Sequence, residues 1–99
     1  MRRHTRVRPE FWEDLIGAID YYNSKSPGLG EEFAQEVVVH VRRAADSPEA
    51  YPIIRKPYRR VLLRRFGQLI IYAAEEERLF FIGIVHGARH FGRWLKARG

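Results

Sequence analysis

The sequence predicts an α+β domain in which a helical hairpin precedes an antiparallel sheet, and three observations support this prediction. Residues 9–44 contain two apolar stripes at helical spacing, joined by a short polar segment. Residues 59–86 contain three runs of branched and aromatic residues separated by short turns. A chain of 99 residues has room for one modest core, so we expect a single domain spanning residues 1–99.

The first predicted helix covers residues 9–23, with an apolar stripe of Trp12, Leu15, Ile16, Ile19 and Tyr22. Pro9 suits its first turn, because the missing N–H would have no helical partner there. Residues 24–28 break this helix, and Ser26 is a suitable cap for the next one. The second stripe consists of Leu29, Phe33, Val37, Val41 and Ala44. Two stripes joined by a short turn predict a helical hairpin whose apolar residues pack on a flat surface.

The strand signals follow a proline-containing loop. Because the turns between the predicted strands are short, we expect antiparallel neighbours. The last strand is apolar throughout residues 79–85, which is typical of a strand covered on both faces. A short opening strand at residues 5–8 is placed to pair beside it, giving the order β-α-α-β-β-β with the helices on one face. The three later strands are predicted at residues 59–66, 69–74 and 79–86, with Gly67-Gln68 as the first connection.

Charge is sorted along the chain. Residues 9–49 hold nine acids and three bases, whereas the remainder holds fifteen bases and three acids, for a net charge of +6. Oriented positive charge attracts an anion and speeds its encounter with the protein. The sequence therefore predicts a basic surface on the sheet that meets an anionic partner or an acidic protein segment.

Composition argues against several classes of protein. No stretch approaches the roughly 18 apolar residues of a membrane span, and Pro9 and Glu10 follow the basic N-terminus where a signal peptide would be apolar. The chain has no cysteine, which fits a cytoplasmic location and leaves no thiolate ligand. His86 and His90 are four residues apart, but Gly87 lies between them and no carboxylate is near. We therefore predict no metal site and no cofactor.

Several segments, taken in order, resemble a known family. They are Asp20-Tyr21-Tyr22, residues 26–33, Tyr51-Pro52, residues 58–66, Ile70-Ile71-Tyr72 and residues 85–89 with Trp94. Together they resemble the RelE/ParE toxins of type II toxin–antitoxin modules across nearly the whole chain. The resemblance implies the fold predicted above, a cytoplasmic location and a cognate antitoxin. We expect that antitoxin to contribute an acidic, amphipathic segment that wraps the toxin.

The resemblance is greater to the ParE branch, which implies a poison that holds DNA gyrase on cleaved DNA by binding rather than by catalysis. The helix end at residues 20–22, the Ser-Pro-Gly-Leu-Gly run and the closing His, Arg and Trp are ParE-like. Gly67-Gln68 departs from the Pro-Tyr common in that branch. Trp94 is a candidate either for covering the core or for a binding hot spot. The candidate partner-binding residues are Arg59, Arg60, Arg64, Arg65, His86, Arg89 and Trp94.

The RelE branch implies a second activity, ribosome-dependent cleavage of messenger RNA. That chemistry needs cations on the phosphate and a proton-transfer group within hydrogen-bond reach. RelE-type proteins often carry a tyrosine near the C-terminus, where this chain has Trp94, and an indole N–H cannot act as a general base. His86 and His90 are the histidines available to replace it, and the sequence favours gyrase inhibition over RNA cleavage. For a ribonuclease, the candidate catalytic residues are Arg60, Arg64, Arg89 and His90.

A plain nucleic-acid-binding module is the third class. Basic strands beside exposed rings form stacking surfaces in such proteins. The relevant rings here belong to Phe66, Tyr72, Phe80 and Phe81. Because these aromatic residues lie within apolar runs, we expect most of them in the core.

Overall fold

A computed structural model describes residues 4–87 and 91–98. Within them, the strands lie in the order β1-β5-β4-β3-β2, with β1 parallel to β5 and all other neighbours antiparallel. The predicted α+β class, with an N-terminal helical hairpin on a largely antiparallel sheet, is therefore confirmed. The elements are β1 (His4–Val7), α1 (Pro9–Lys25), α2 (Leu29–Asp46), a 3-10 turn (Pro48–Ala50), β2 (Ile53–Arg55), β3 (Tyr58–Leu63), β4 (Gln68–Ala74), β5 (Arg78–His86) and α3 (Phe91–Arg98).

The helical hairpin of α1 and α2 packs on one face of the sheet. Burying each large apolar side chain in this interface contributes roughly 1.5–3 kcal/mol. Trp12 and Ile16, predicted to be in the core, are instead 52% and 60% exposed, because Phe11 takes the inward position at the start of α1. The buried residues of this core include Phe11, Leu15, Tyr22, Phe33, Val37, Ala44, Val61, Leu63, Ile70, Tyr72, Leu79 and Phe81.

The turn between the two helices depends on glycine at two positions. Gly28 precedes α2 with φ at 88°, in the left-handed region that glycine adopts without strain. The residue at the N-terminal cap of α2 is thus Gly28 and not Ser26, which ends α1. The Gly30 N–H donates to Asn23 Oδ1 at 2.8 Å, and a Cβ at Gly30 would clash with the Asn23 side chain and the Ile19 carbonyl oxygen. Glycine therefore permits the close approach of α2 to the end of α1.

The opposite face of the sheet carries a second, smaller core beneath α3. Phe91 and Trp94 of α3 pack against the buried side chains Leu69, Ile71, Ala73 and Ile82. Both faces of β5 are consequently covered, as the apolar run at residues 79–85 predicted. The predicted order lacked two elements, because β2 was expected to be loop and α3 was not identified.

Strand β3 is shorter than predicted. It ends at Leu63, and the N–H groups of Phe66 and Gly67 donate to the Leu63 carbonyl oxygen at 3.1 and 2.9 Å. Residues 64–67 therefore form the turn, with Gly67 at a φ of 65°, and Gln68 already belongs to β4. Residues Arg64 and Arg65 consequently lie on a turn and not on the two faces of a strand.

The outer edge of β5 is covered by two different means. Its first part pairs with β1, which ends where the Arg8 N–H donates to the Phe81 carbonyl oxygen at 3.0 Å. Beyond that point, Asp14 Oδ2 accepts the Ile84 N–H at 2.9 Å, and Arg98 Nη1 donates to the Ile82 carbonyl oxygen at 3.3 Å. Side chains from α1 and α3 thus replace the strand that would otherwise satisfy these backbone groups.

Asp14 and Arg98 also bind each other through two hydrogen bonds of 2.7 and 2.9 Å. Their side chains are only 17% and 19% exposed, and the hydrogen bond to Asp14 raises the pKa of the Arg98 guanidinium above its ordinary value. The guanidinium lies 4.8 Å from the centre of the Trp94 ring. A Cβ at Gly83 would come within 2.6–2.7 Å of all three side chains, so glycine there admits this contact.

None of the helices in the described part of the chain combines the length and the apolar character that crossing a bilayer requires.

We predict that Asp14→Ala lowers the free energy of unfolding by about 2–4 kcal/mol, because it leaves the Ile84 N–H without an acceptor and the part-buried Arg98 guanidinium without its carboxylate. Urea denaturation followed by circular dichroism measures the loss. Asp20→Ala, an exposed carboxylate on the same helix, is the control and should change stability by less than about 0.5 kcal/mol. Equal losses in the two variants would contradict this role for Asp14.

Candidate partner-binding surface

Arg64, Arg65 and His86 are brought together at one end of the sheet, which we call the basic end. The β3–β4 turn carries the two arginines, and His86 pairs with Gln68, the residue that follows this turn. The Gly87 N–H donates to the Gly67 carbonyl oxygen at 3.1 Å, which holds the end of β5 against the turn. All three side chains are exposed to solvent.

The positive charge of Arg65 is partly neutralised by a neighbouring carboxylate. Its Nη2 atom is 2.7 Å from Glu32 Oε1 of α2, and its guanidinium lies 5.0 Å from the centre of the Phe66 ring. Both partners of the ion pair are 53% exposed, so the pair contributes little to stability. Arg64 forms no ion pair with the described residues, and it is the stronger candidate for contact with a partner.

Tyr22 supports the basic end from beneath. Its hydroxyl donates to the Phe66 carbonyl oxygen at 3.3 Å and accepts a hydrogen bond from Gln68 Nε2 at 3.0 Å. The side chain is buried, so this phenol is a structural group and is not presented to a substrate. His86 is the predicted histidine that the structure does place beside the arginines of the turn.

Arg59 lies away from the basic end, near the start of β3. Its Nη1 atom donates to the Tyr51 carbonyl oxygen at 2.6 Å and to the Glu49 carbonyl oxygen at 3.3 Å. The guanidinium therefore fastens the segment between α2 and β2 to the sheet. Arg60 is exposed on the next position of the strand. The arginines of residues 59–65 thus do not form one cluster.

Trp94 is half-buried on the face of the sheet opposite the hairpin. Its ring stacks on Phe91 at a centroid distance of 6.0 Å and packs against the second core. The sequence left two roles open for Trp94, covering the core and forming a binding hot spot. Its position in the structure is that of a residue that covers the second core. Arg89 and His90 lie outside the described residues.

The aromatic residues of the nucleic-acid alternative do not form an exposed stacking surface. Phe66, Tyr72 and Phe81 are buried, and Phe80 is part-buried against the second core. Base stacking needs an accessible ring face. The described residues also contain no group of three or more His, Asp or Glu side chains arranged to hold a metal ion.

Sequence reasoning missed a groove between α2 and the outer edge of β3, which we call the α2–β3 groove. Its volume is about 390 Å³, and it continues into a cavity of about 300 Å³ beside Glu36 and Phe66. His40 and Arg43 are three residues apart on α2, and this spacing is the sequence signal for a shared helical face. The groove is lined by His40, Arg43, Tyr51, Pro52, Arg60, Val61, Leu62 and Arg64.

No family model matches this chain. Two curated relatives from Mycobacterium tuberculosis, strains CDC 1551 and H37Rv, are both named Toxin ParE2. Each is 28% identical over 88 residues, which cover 88% of this chain and 84% of the relative.

Two solved structures share the fold. A chain from the chromosomal ParDE toxin–antitoxin system of P. aeruginosa superposes with a TM-score of 0.76 at 14% identity, covering 87% of this chain and 97% of that one. A mutant of the E. coli toxin RelE in the free state gives a TM-score of 0.53 at 16% identity, covering 99% and 94%. The architecture is therefore that of the RelE and ParE toxins. Together with the sequence relatives, these similarities support a toxin of the RelE/ParE superfamily, as the sequence motifs predicted.

We predict that Arg59→Ala lowers the free energy of unfolding by about 1–3 kcal/mol, because two carbonyl groups lose a charged donor. Arg64→Ala, on the exposed turn, should change it by less than about 0.5 kcal/mol. Chemical denaturation of both variants tests this difference. If Arg59→Ala were as stable as the parent protein, the anchoring role of Arg59 would be wrong.

Proposed function

We propose that this protein is the toxin of a type II toxin–antitoxin pair, that it inhibits DNA gyrase by binding, and that a cognate antitoxin neutralises it. The observation that carries the proposal is the similarity to the ParE2 toxins over 88% of the chain. The gyrase target comes from the ParE-like motifs of the sequence. A cytoplasmic location is part of the proposal, because gyrase acts there.

The geometry of the basic end supports a binding role. A toxin that holds gyrase on cleaved DNA meets a surface rich in phosphate, and exposed cations lower the free energy of that encounter. Arg64 and His86 present such charge or polarity at one end of the sheet. A hydrogen-bonded turn that displays exposed arginines fits docking better than bond breaking.

The alternative is a RelE-like, ribosome-dependent endoribonuclease of messenger RNA. Two observations favour it: the RelE fold similarity over 99% of this chain, and the position of His86 beside Arg64 and Arg65. Against it, the Tyr22 hydroxyl is buried in a structural network, and Trp94 packs on the second core. A ribonuclease that lost its proton-transfer group would lose roughly a hundredfold or more in rate.

Two assays on the purified protein separate these activities. We expect inhibition of gyrase supercoiling, and we expect no messenger cleavage in a translating extract. Arg64→Ala should raise the concentration needed for inhibition about tenfold, because a charge presented to the partner is lost. Arg42→Ala, an exposed arginine of α2 that does not line the α2–β3 groove, is the matched control and should inhibit like the parent. Messenger cleavage without gyrase inhibition would reverse the assignment.

We further predict that expression of the protein alone arrests growth and that co-expression of the adjacent small open reading frame restores it. The physical reason is that an acidic, amphipathic antitoxin would bury apolar surface while pairing charge with the toxin. Colony counts on inducing medium measure the rescue. Growth arrest that neither neighbouring product relieves would count against an antitoxin encoded beside it.

A further inference from the structure

We propose that the α2–β3 groove binds an extended acidic peptide segment, which joins the sheet as an additional strand along the open edge of β3. This inference rests on the proposed function, within which the segment belongs to the antitoxin. It adds the location of the contact and its backbone geometry.

The first step concerns which backbone groups of β3 face outward. The Ala74 N–H donates to the Pro57 carbonyl oxygen at 3.1 Å, so Pro57 directs its backbone toward β4. Backbone direction alternates along a strand. Arg60 and Leu62 therefore direct their N–H and C=O groups away from β4, whereas the residues bonded to β4 are Arg59, Val61 and Leu63.

The second step concerns what meets those outward groups. The Arg60 N–H donates to the Pro52 carbonyl oxygen at 3.1 Å, but Pro52 has no N–H with which to return the bond. Strand β2 pairs only with Tyr58 and Arg59. Among the described residues, no strand lies beside Leu62 on this side, and its side chain is 43% exposed. The edge therefore remains a template for another strand.

Charge determines the chemistry of the occupant. Arg43, Arg60 and Arg64 line the groove and form no ion pair with any described carboxylate. At one end of the groove, Glu36 of α2 already contacts His40. The His40 Nδ1 donates to the Glu36 carbonyl oxygen at 2.8 Å and lies 3.6 Å from Glu36 Oε2. The groove is consequently cationic, and it favours a segment rich in Asp and Glu.

The geometry favours a peptide over a nucleic acid. An open strand edge offers alternating donors and acceptors at the spacing of a second polypeptide, about 3.3 Å per residue, which a phosphate backbone does not match. Tyr51 is the aromatic residue that lines the groove. It is half-buried, and its ring packs edge-on against the Tyr72 ring at a centroid distance of 6.4 Å, so it is poorly placed for base stacking. Side chains of an added strand would alternate between Arg43 on α2 and Arg60 on the opposite face.

Heteronuclear NMR titration of the labelled full chain tests the proposal. The probe is a capped peptide of about ten residues in which Glu and Val alternate, and the control peptide has Lys in place of Glu. We expect the Glu peptide to shift the Leu62 amide signal and to slow its hydrogen exchange about tenfold or more. The Lys peptide should do neither. Binding of the Glu peptide that leaves the Leu62 amide unprotected would overturn the strand geometry.

Variants separate the backbone contribution from the charge contribution. Leu62→Pro removes an outward N–H without breaking a bond to β4, and it should weaken Glu-peptide binding about tenfold, whereas Leu62→Thr retains the N–H and should bind normally. If Leu62→Pro does not fold, the double variant Arg43→Glu with Arg60→Glu provides an independent test with the same expected loss. Arg42→Glu, on the same helix outside the groove, is its control. Equal binding by the double variant and its control would overturn the proposal.

Two further outcomes are distinguishable. A single-stranded RNA of about twelve nucleotides that binds more tightly than the Glu peptide, without protecting the Leu62 amide, would assign the groove to nucleic acid instead. If the neighbouring gene product rescues growth against the parent protein and against Leu62→Pro equally, this inference fails while the proposed function stands. If no neighbour rescues growth but the Glu peptide binds as expected, the proposed antitoxin fails and the groove remains a peptide site.

Discussion

The outer edge of β5 is the constraint on which the rest of the structure depends. This strand is buried on both faces, yet β1 pairs with only its first part. Buried backbone groups without partners are costly, and Asp14 and Arg98 supply those partners from opposite layers. Because the two side chains also bind each other, the packing of α1 and the packing of α3 are linked through a single pair. Asp14 and Arg98 thereby hold β5 in place, and His86 at the end of this strand lies at the basic end.

The outward backbone groups of β5 and of β3 are satisfied to different extents, and this difference has consequences for binding. At the β5 edge, a carboxylate and a guanidinium satisfy the backbone and neutralise each other. At the β3 edge, Pro52 ends the pairing early and leaves Leu62 beside arginines that form no ion pair with the carboxylates of residues 4–87 and 91–98. Edge strands in soluble proteins are usually blocked or charged, which discourages association between identical chains. Positive charge on an open edge discourages a second copy of this chain while admitting an acidic strand.

Much of the fold could be predicted from the sequence, and the omissions have physical explanations. The hairpin and the three later strands follow from periodicity and short turns, and the short opening strand pairs beside the last strand as predicted. Helix α3 was missed because it has only eight residues, although Phe91, Trp94, Leu95 and Arg98 are at helical spacing. The apolar run of β5 already required a layer on the second face. On α1, Phe11 and Trp12 both continue a stripe toward Leu15, and only tertiary packing selects Phe11.

The candidate site was predictable in composition but not in arrangement, because side-chain direction depends on where a strand ends. An assumed strand through Phe66 gives Arg64 and Arg65 opposite faces, whereas the actual turn after Leu63 places both at one end of the sheet. Tertiary contacts then give similar arginines different roles. Arg59 bonds to carbonyl groups of its own chain, and Arg64 stays exposed. The acidic half of the sequence even contributes a cation, Arg43, to the groove, through the end of α2 that reaches β3. The distribution of charge along a sequence thus predicts the sign of a partner's charge. It does not predict which surface the partner contacts, because that depends on chain topology.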